Sequence, residues 1–522
     1  MTGADLRAGI RASGWHSFRT ASANPAPEMS LSGALETDLA CLEGLTAGAP
    51  PESERILQGR PISAGLRCGP LMSEQEFLDG TKTKDAVVLS AFLDEDLLIH
   101  RSRLAAVLVE SVDPSSHAVI MARSSGLPVV AISPGERGML SSAHQGKSVS
   151  VDGTTGSVYR GALDNLTEQW PASVHNCLSA CERASRIKVY ANADLPGDVQ
   201  RSRERHAAGF EPRLEHLLLS GRNLTTLQCV LFGRDAEIPL AEFVDCLASE
   251  VADLYRAAGG LPLYLRLLDP PSHEFEPRGA QLSLVAERLG ISVEAVSKRA
   301  EELREINPMV GFRGARLLLA RPDLLRAQVI AMVRGFTAAK NDGVEGDEIL
   351  VLIPMVMDAE EAKRIRQEII ETAKAELQLT RVHVRIGAMV ETPRAAMTAG
   401  KIAEHVDFIA FGTNDLTAQV FGISRGDAYK KYLDHYLSNE ILESDPFEVL
   451  DDTVAELIRA CVADMRKVNR AITFTICGEQ AGHQKTIAFA LQEGIDAVSV
   501  AIELIPKTII RSAPRLSQEP RA

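Results

Sequence analysis

The sequence predicts an α/β protein whose C-terminal part is a (β/α)8 barrel, with a smaller β/α unit ahead of it. Six apolar, strand-like runs recur between residues 206 and 515: PLYLRL (262–267), ILVLIPMV (349–356), VRIGAMV (384–390), VDFIAFG (406–412), ITFTIC (472–477) and DAVSVA (496–501). They are apolar almost throughout instead of alternating, as in parallel strands covered on both faces. Amphipathic stretches of helical length separate them, and about 300 residues of this alternation suit a closed barrel better than an open sheet. Polar residues fall just past the strands: Glu391 after VRIGAMV, Asn414 and Asp415 after VDFIAFG, with Cys477 closing ITFTIC. A barrel carries its chemistry at that end.

The elements follow in order. Residues 1–55, rich in Ala, Gly, Ser, Pro and Glu, read as a disordered or weakly helical tail. Residues 56–165 form a compact unit of short strands, DAVVLS (85–90), AAVLVE (105–110), PVVAI (128–132) and SVSVDG (148–153), separated by turns. Residues 166–205 look helical and polar, a linker; the barrel takes 206–515, and 516–522 is a tail. The helix expected from 358 has Asp358 to cap it and Glu361 where a capping box wants it.

Bulk composition narrows the function classes. Hydrophobic content of 45% and charged content of 24% are those of an ordinary globular protein. The net charge of −14 argues against nucleic-acid binding, which needs a basic face. No apolar run is long enough to span a membrane, and MTGADLRAGIRASGWHSFRT lacks the apolar core of a secretory signal, so a cytoplasmic location is expected. The eight cysteines are scattered and imply no disulfide framework. Cys177 and Cys181 share a helix face, but His175 alone beside them falls short of a metal site.

Four constellations carry the chemistry. Glu391 and Asp415 follow successive strands, so a barrel brings both carboxylates to one rim, where two hard oxygen donors suit Mg²⁺; each could instead cap the helix after it. Arg266 lies in a strand run and Arg313 between Gly311 and Gly314, placed either to fork onto an anionic ligand or to pair with a buried acid. Arg425 follows Asn414 by eleven residues, adding a permanent cation. Cys477 ends a strand before Gly478-Glu479-Gln480-Ala481-Gly482; its thiol can move a proton at a substrate carbon, or simply be a buried strand end. His117, in SSHAVIMARSSGLPVV (115–130), sits at a helix start, either as a phosphoryl acceptor stabilised by free N–H groups or as an incidental residue.

Taken together, these stretches resemble the phosphoenolpyruvate-utilising enzymes. The resemblance rests on RLLDPPSHEFEP (266–277), NPMVGFRGAR (307–316), ETPRAA (391–396), FGTNDLT (411–417), LSNEILESDPFEVLD (437–451) and CGEQAG (477–482), with GRPISAGLRCG (59–69) and IMARSSGLPVV ahead of them. RLLDPPSHEF and DPFEVLD are most similar to the pyruvate phosphate dikinase branch. The resemblance implies a TIM barrel that binds phosphoenolpyruvate with Mg²⁺, preceded by a swivelling phosphohistidine domain. It implies that Glu391 and Asp415 hold Mg²⁺ and that Arg266, Arg313, Arg213 and Arg425, with Gly412, Thr413 and Asn414, bind the substrate. It makes Cys477 the proton donor to the enolate carbon and His117 the nucleophile. Here Val112-Asp113-Pro114 stands where the family carries a Gly-Gly pair, Leu214 replaces a Thr, and Ala418 replaces a Gln. Some 55 residues precede the first matching motif, too few for the dikinase ATP-grasp domain. The expected function is Mg-dependent phosphoryl transfer between phosphoenolpyruvate or pyruvate and His117. A separate ATP-binding subunit or phosphocarrier protein is the expected partner, and a homodimer through the barrel the expected assembly. The alternative is a non-catalytic phosphoenolpyruvate- or pyruvate-binding regulator with a degenerate histidine loop.

Overall fold

The structure is a computed structural model. It describes residues 55–513 apart from positions 64, 81–82, 84, 94, 99, 101–102, 113–117, 120–121, 123–126, 154, 162–171, 219–220, 234–236, 271–274, 306, 308–309 and 378–381. Two compact units divide the chain: one runs to Lys188 and takes up the residues from Ala501, the other is Val189–Val500.

In the first unit, eight strands form one mixed sheet: β1 Arg55–Gln58, β2 Arg60–Ser63, β3 Leu66–Ser73, β4 Ala86–Phe92, β5 Leu104–Ser111, β6 Val129–Ala131, β7 Ser148–Asp152 and β8 Ser157–Arg160. Their order is β1-β8-β7-β3-β4-β5-β6-β2, and β3 to β6 run parallel. The continuous apolar character of β4 and β5 follows from burial on both faces. Val88, Val107, Val109 and Val129 pack on one side with Phe77, while Val87, Leu89, Leu108 and Val130 pack on the other with Leu140. The helix Pro134–His144 starts at a capping box between Ser133 and Glu136. The four strand runs expected here correspond to β4, β5, β6 and β7. The expected tails, apart from Arg55, and His117 lie outside the described residues, although Ala118 and Val119 pack into the first cluster.

The second unit is a closed parallel barrel, as expected from the sequence. Its strands are β9 Lys188–Ala191, β10 Tyr264–Arg266, β11 Glu348–Val356, β12 His383–Val390, β13 Phe408–Gly412, β14 Thr473–Cys477 and β15 Ala497–Val500. Strands β10 to β15 pair in sequence, each parallel to the next. β15 then neighbours β9, where Asn192 N–H donates to Val500 O at 2.8 Å. The eighth stave is the segment 210–213, joined by parallel bridges Ala191↔Phe210, Phe210↔Leu263 and Arg213↔Arg266. β9 falls within the stretch read as linker. Four residues, KVYA, are too few to display a period, and the ring cannot close without them. Leu350, Leu352, Met389, Phe408, Ala410 and Cys477 fill the interior with Tyr264. The helix Ala359–Leu377 is capped as expected: Asp358 accepts from Glu360 N–H at 3.0 Å and Glu361 from Asp358 N–H at 3.3 Å.

Candidate active site

The C-terminal ends of β10 to β14, with the segment 210–213, supply the candidate residues. Glu391 follows β12 directly, but the helix Pro393–Met397 is capped by Thr392, whose hydroxyl accepts from Ala395 N–H. Glu391 is therefore free of that duty. Its carboxylate is buried, 2% exposed, and accepts from Met355 N–H at 2.7 Å. Met355 adopts φ +55° at the irregular end of β11, a left-handed conformation uncommon for a non-glycine residue. Gly412 closes β13, and a Cβ there would lie 2.7 Å from Glu391 Oε2, so only glycine permits the approach. The helix Thr413–Phe421 begins after Gly412 with no side-chain cap, and Asp415 stands in its first turn rather than at its cap. Burial first, then the charges of Asp415 and Asp269, push the Glu391 carboxyl up to about 8 against the pull of Arg266 and Arg313.

The arginines are held by buried acids. Arg313 Nε donates to Asp269 Oδ1 at 2.7 Å and its Nη2 to Oδ2, a fork-to-fork pair. Asp269 is fully buried, and desolvation holds its carboxyl above the usual range in spite of Arg313 and Arg266. Gly314, φ +55°, lets this pair close against β11, since a Cβ there would stand 2.7 Å from Met355 Cβ and 3.0 Å from Asp269 Oδ1. Arg266 Nη2 donates to Glu215 Oε1 at 2.5 Å, leaving buried Arg266 Nε and Glu215 Oε2 without a partner among the described residues. Burial would raise Glu215, but Arg266, His216 and Arg213 hold it below the usual carboxylate range. Arg213, bridged to Arg266, binds Asp194 through its backbone N–H (2.9 Å), Nε (3.2 Å) and Nη2 (2.6 Å), while His216 Nδ1 lies 2.7 Å from Asp194 Oδ2. Burial opposes ionisation of Asp194, yet Arg213 and His216 keep it well below its ordinary value.

Cys477 points into the barrel, buried, with Sγ donating to Phe411 O at 3.2 Å. Burial, then the neighbouring Glu211 and Glu391, push its thiol well above the ordinary range. Thr413 Oγ1 donates to Cys477 O at 2.7 Å, and Asn414 Oδ1 accepts from Glu479 N–H at 3.2 Å, so the β13 and β14 ends are tied together. Gly478, φ +123°, makes room for both: a Cβ there would lie 2.3 Å from Thr413 Oγ1. Arg425 stands one step back. It engages Glu479 and lies over Phe447 and Tyr429 at 5.4 and 5.6 Å.

The structure thus gathers Arg213, Arg266, Arg313, Glu391, Gly412, Thr413, Asn414, Asp415 and Cys477 at one end of the barrel, with Arg425 behind them. Asp194, Glu211, Glu215 and Asp269 join them without having been singled out in the sequence. Asp269 carries the same signal as Asp415, an acid just past a strand run, and was legible on that ground. Among the described residues no cluster of three or more His, Cys, Asp or Glu is arranged as a metal cage. The donor set still fits Mg²⁺, which keeps waters and substrate oxygens and needs only one or two carboxylates. Glu391 and Asp415 supply hard oxygens whose mutual repulsion a divalent cation would relieve.

A parallel barrel with acids and acid-anchored arginines at its C-terminal rim has the layout of the barrel proteins that carry a polar site on their strand ends. The family model described as "PEP-utilising enzyme, PEP-binding domain" matches residues 169–515, and that described as "PEP-utilising enzyme, mobile domain" matches 82–156. The chain belongs to the phosphoenolpyruvate (PEP)-utilising enzymes. It is 31% identical over 475 residues to pyruvate, phosphate dikinase 1 of Oryza sativa subsp. japonica, covering 86% of this chain and 50% of the relative. Pyruvate, phosphate dikinase of Rhizobium meliloti is 31% identical over 470 residues (86% and 52%), and that of Clostridium symbiosum 31% over 411 (75% and 47%). The chain spans about half the length of the curated relatives it matches.

Proposed function

We propose that the chain transfers a phosphoryl group between phosphoenolpyruvate or pyruvate and His117, with Mg²⁺ held by Glu391 and Asp415. The observation that carries this reading is the Glu391 carboxyl, buried beside Asp415 and Asp269 and facing Arg266 and Arg313. Mg²⁺, when bound, offsets charge on the phosphate and enolate oxygens. Arg266, anchored by Glu215, turns its remaining N–H donors to the anion, its Nε among them. Arg313 and Arg213 work the same way from Asp269 and Asp194, so three guanidiniums are fixed before substrate arrives. Gly412, Thr413 and Asn414 line the substrate, and Arg425 steadies them through Glu479. Cys477 gives its proton to the enolate carbon; a thiol pushed up by burial stays protonated until that carbon becomes basic. Transfer to His117 then depends on in-line positioning. A separate ATP-binding subunit or phosphocarrier protein would connect His117 to a further acceptor, and a homodimer through the barrel is the assembly this reading expects.

Val112-Asp113-Pro114, ahead of Ser115, Ser116 and His117, favours a second reading: a PEP- or pyruvate-binding regulator whose histidine takes no phosphoryl group. Incubation with labelled PEP and Mg²⁺ separates the two. Acid-labile label on the wild type and none on His117→Ala supports transfer. A wild type that takes no label while PEP raises its Tm sinks transfer and leaves binding.

A further inference from the structure

Glu211 is an acid inside the barrel that the proposed chemistry leaves unused. It lies in the segment 210–213, its backbone N–H bonded to Ala191 O at 3.0 Å, and is 7% exposed. No arginine or lysine forms an ion pair with it among the described residues; Arg266, the cation that acts on it, is already engaged with Glu215. Its hydrogen-bond partner is Ser499. The Ser499 hydroxyl also meets Asn192 Oδ1 at 2.7 Å. Ser499 thus sits between Glu211 and Asn192.

The same layer holds Cys477. β14 and β15 pair Cys477 with Ser499 in register, so both side chains face the same side of the sheet, the interior side on which Cys477 packs. The charge of Glu211 acts on the thiol more strongly than that of any other residue. Tyr190 from β9 and Tyr264 from β10, hydroxyls 3.3 Å apart, also feel the charge of Glu211, as does Arg266 from β10. A thiolate left here after giving up its proton is buried beside acids, far from stable, and takes a proton back readily.

We propose that Glu211 is the proton relay of Cys477. As the substrate carbon takes the thiol hydrogen, a C–H bond forms and the S–H bond breaks. The Glu211 carboxylic acid then gives its O–H proton to the thiolate and becomes a carboxylate, which recovers a proton from water when pyruvate leaves. The inference rests on the enolate chemistry proposed above, and Glu211 acts through Cys477 as a positioning and relay group. Burial has already moved its carboxyl up to about 7, so both forms are populated near neutrality.

The test is exchange of the pyruvate methyl protons into D₂O, followed by proton NMR on the full chain with Mg²⁺, across pH. Cys477→Ala should abolish exchange. Glu211→Gln should slow it about tenfold or more, remove the inflection near 7 from the pH profile, and leave pyruvate affinity by calorimetry and Tm intact. Glu211→Asp, which keeps an acid, should retain more exchange than the glutamine variant. Wild-type exchange in Glu211→Gln while Cys477→Ala is dead overturns the relay and leaves the functional reading standing. So does equal loss in the Asp and Gln variants with melting unchanged. A wild type that exchanges nothing overturns the enolate reading and the relay with it.

Discussion

At the scale of single residues, the site consists of arginines that arrive already paired. Breaking one pair strands a buried charge, so Glu215→Ala should lower stability by about 3–5 kcal/mol in urea unfolding, since Glu215 is 2% exposed and braces Arg266. Asp194 makes a pH prediction. Its folded-state carboxyl lies well below the ordinary value, because Arg213 and His216 outweigh burial. Such a group contributes stability that is complete above about pH 4 and drains away as pH falls towards the folded value. Asp194→Asn should therefore be less stable than the wild type at neutral pH and show a flatter decline of the urea midpoint in acid. Of these residues, the sequence exposed the ones that break a pattern. Glu391, Asp415 and Cys477 interrupt or end apolar runs, and Arg266 sits inside one. Glu215 and Asp194 break no pattern: each lies in polar sequence, and only the closing of the ring brings them against arginines distant in the chain.

At the scale of elements, glycines decide how closely strand ends can meet. Gly478→Ala puts a methyl group 2.3 Å from Thr413 Oγ1 and 3.0 Å from Asn414 Oδ1, on a backbone at φ +123°. The tie between β13 and β14 must then part, and the Tm gain on adding PEP and Mg²⁺ should largely disappear. Gly314→Ala, at φ +55°, forces Asp269 and Met355 apart and should cost about 1–3 kcal/mol of stability by thermal melting, with PEP affinity falling as Arg313 loses its brace. The long strands were readable because nine residues of β11 or eight of β12, apolar nearly throughout, have few alternatives. β9 and the segment 210–213 were not, since their place in the sheet is set by partners across the ring rather than by any local period.

At the scale of the whole molecule, the barrel is a ring whose staves are unequally fastened. β11 and β12 pair along seven registered positions, while the segment 210–213 is held by one bridge on the β9 side and two on the β10 side. Phe210 makes a bridge on each side and is fully buried, so Phe210→Ala should destabilise the protein by about 3–5 kcal/mol and lower its urea midpoint. Arg213, paired with Asp194, and the buried Glu211 both ride on this thin stave. Amide hydrogen exchange should report it directly, with the Phe210, Tyr264 and Arg266 amides, which close its bridges, trading for deuterium sooner than those of β11 and β12. An anion seated on Arg213 and Arg266 spans the gap between the stave and its neighbour, so occupancy should slow deuterium uptake there more than anywhere else in the ring. Substrate would then act as a clasp, and the vacant barrel as the more open of two equally folded forms.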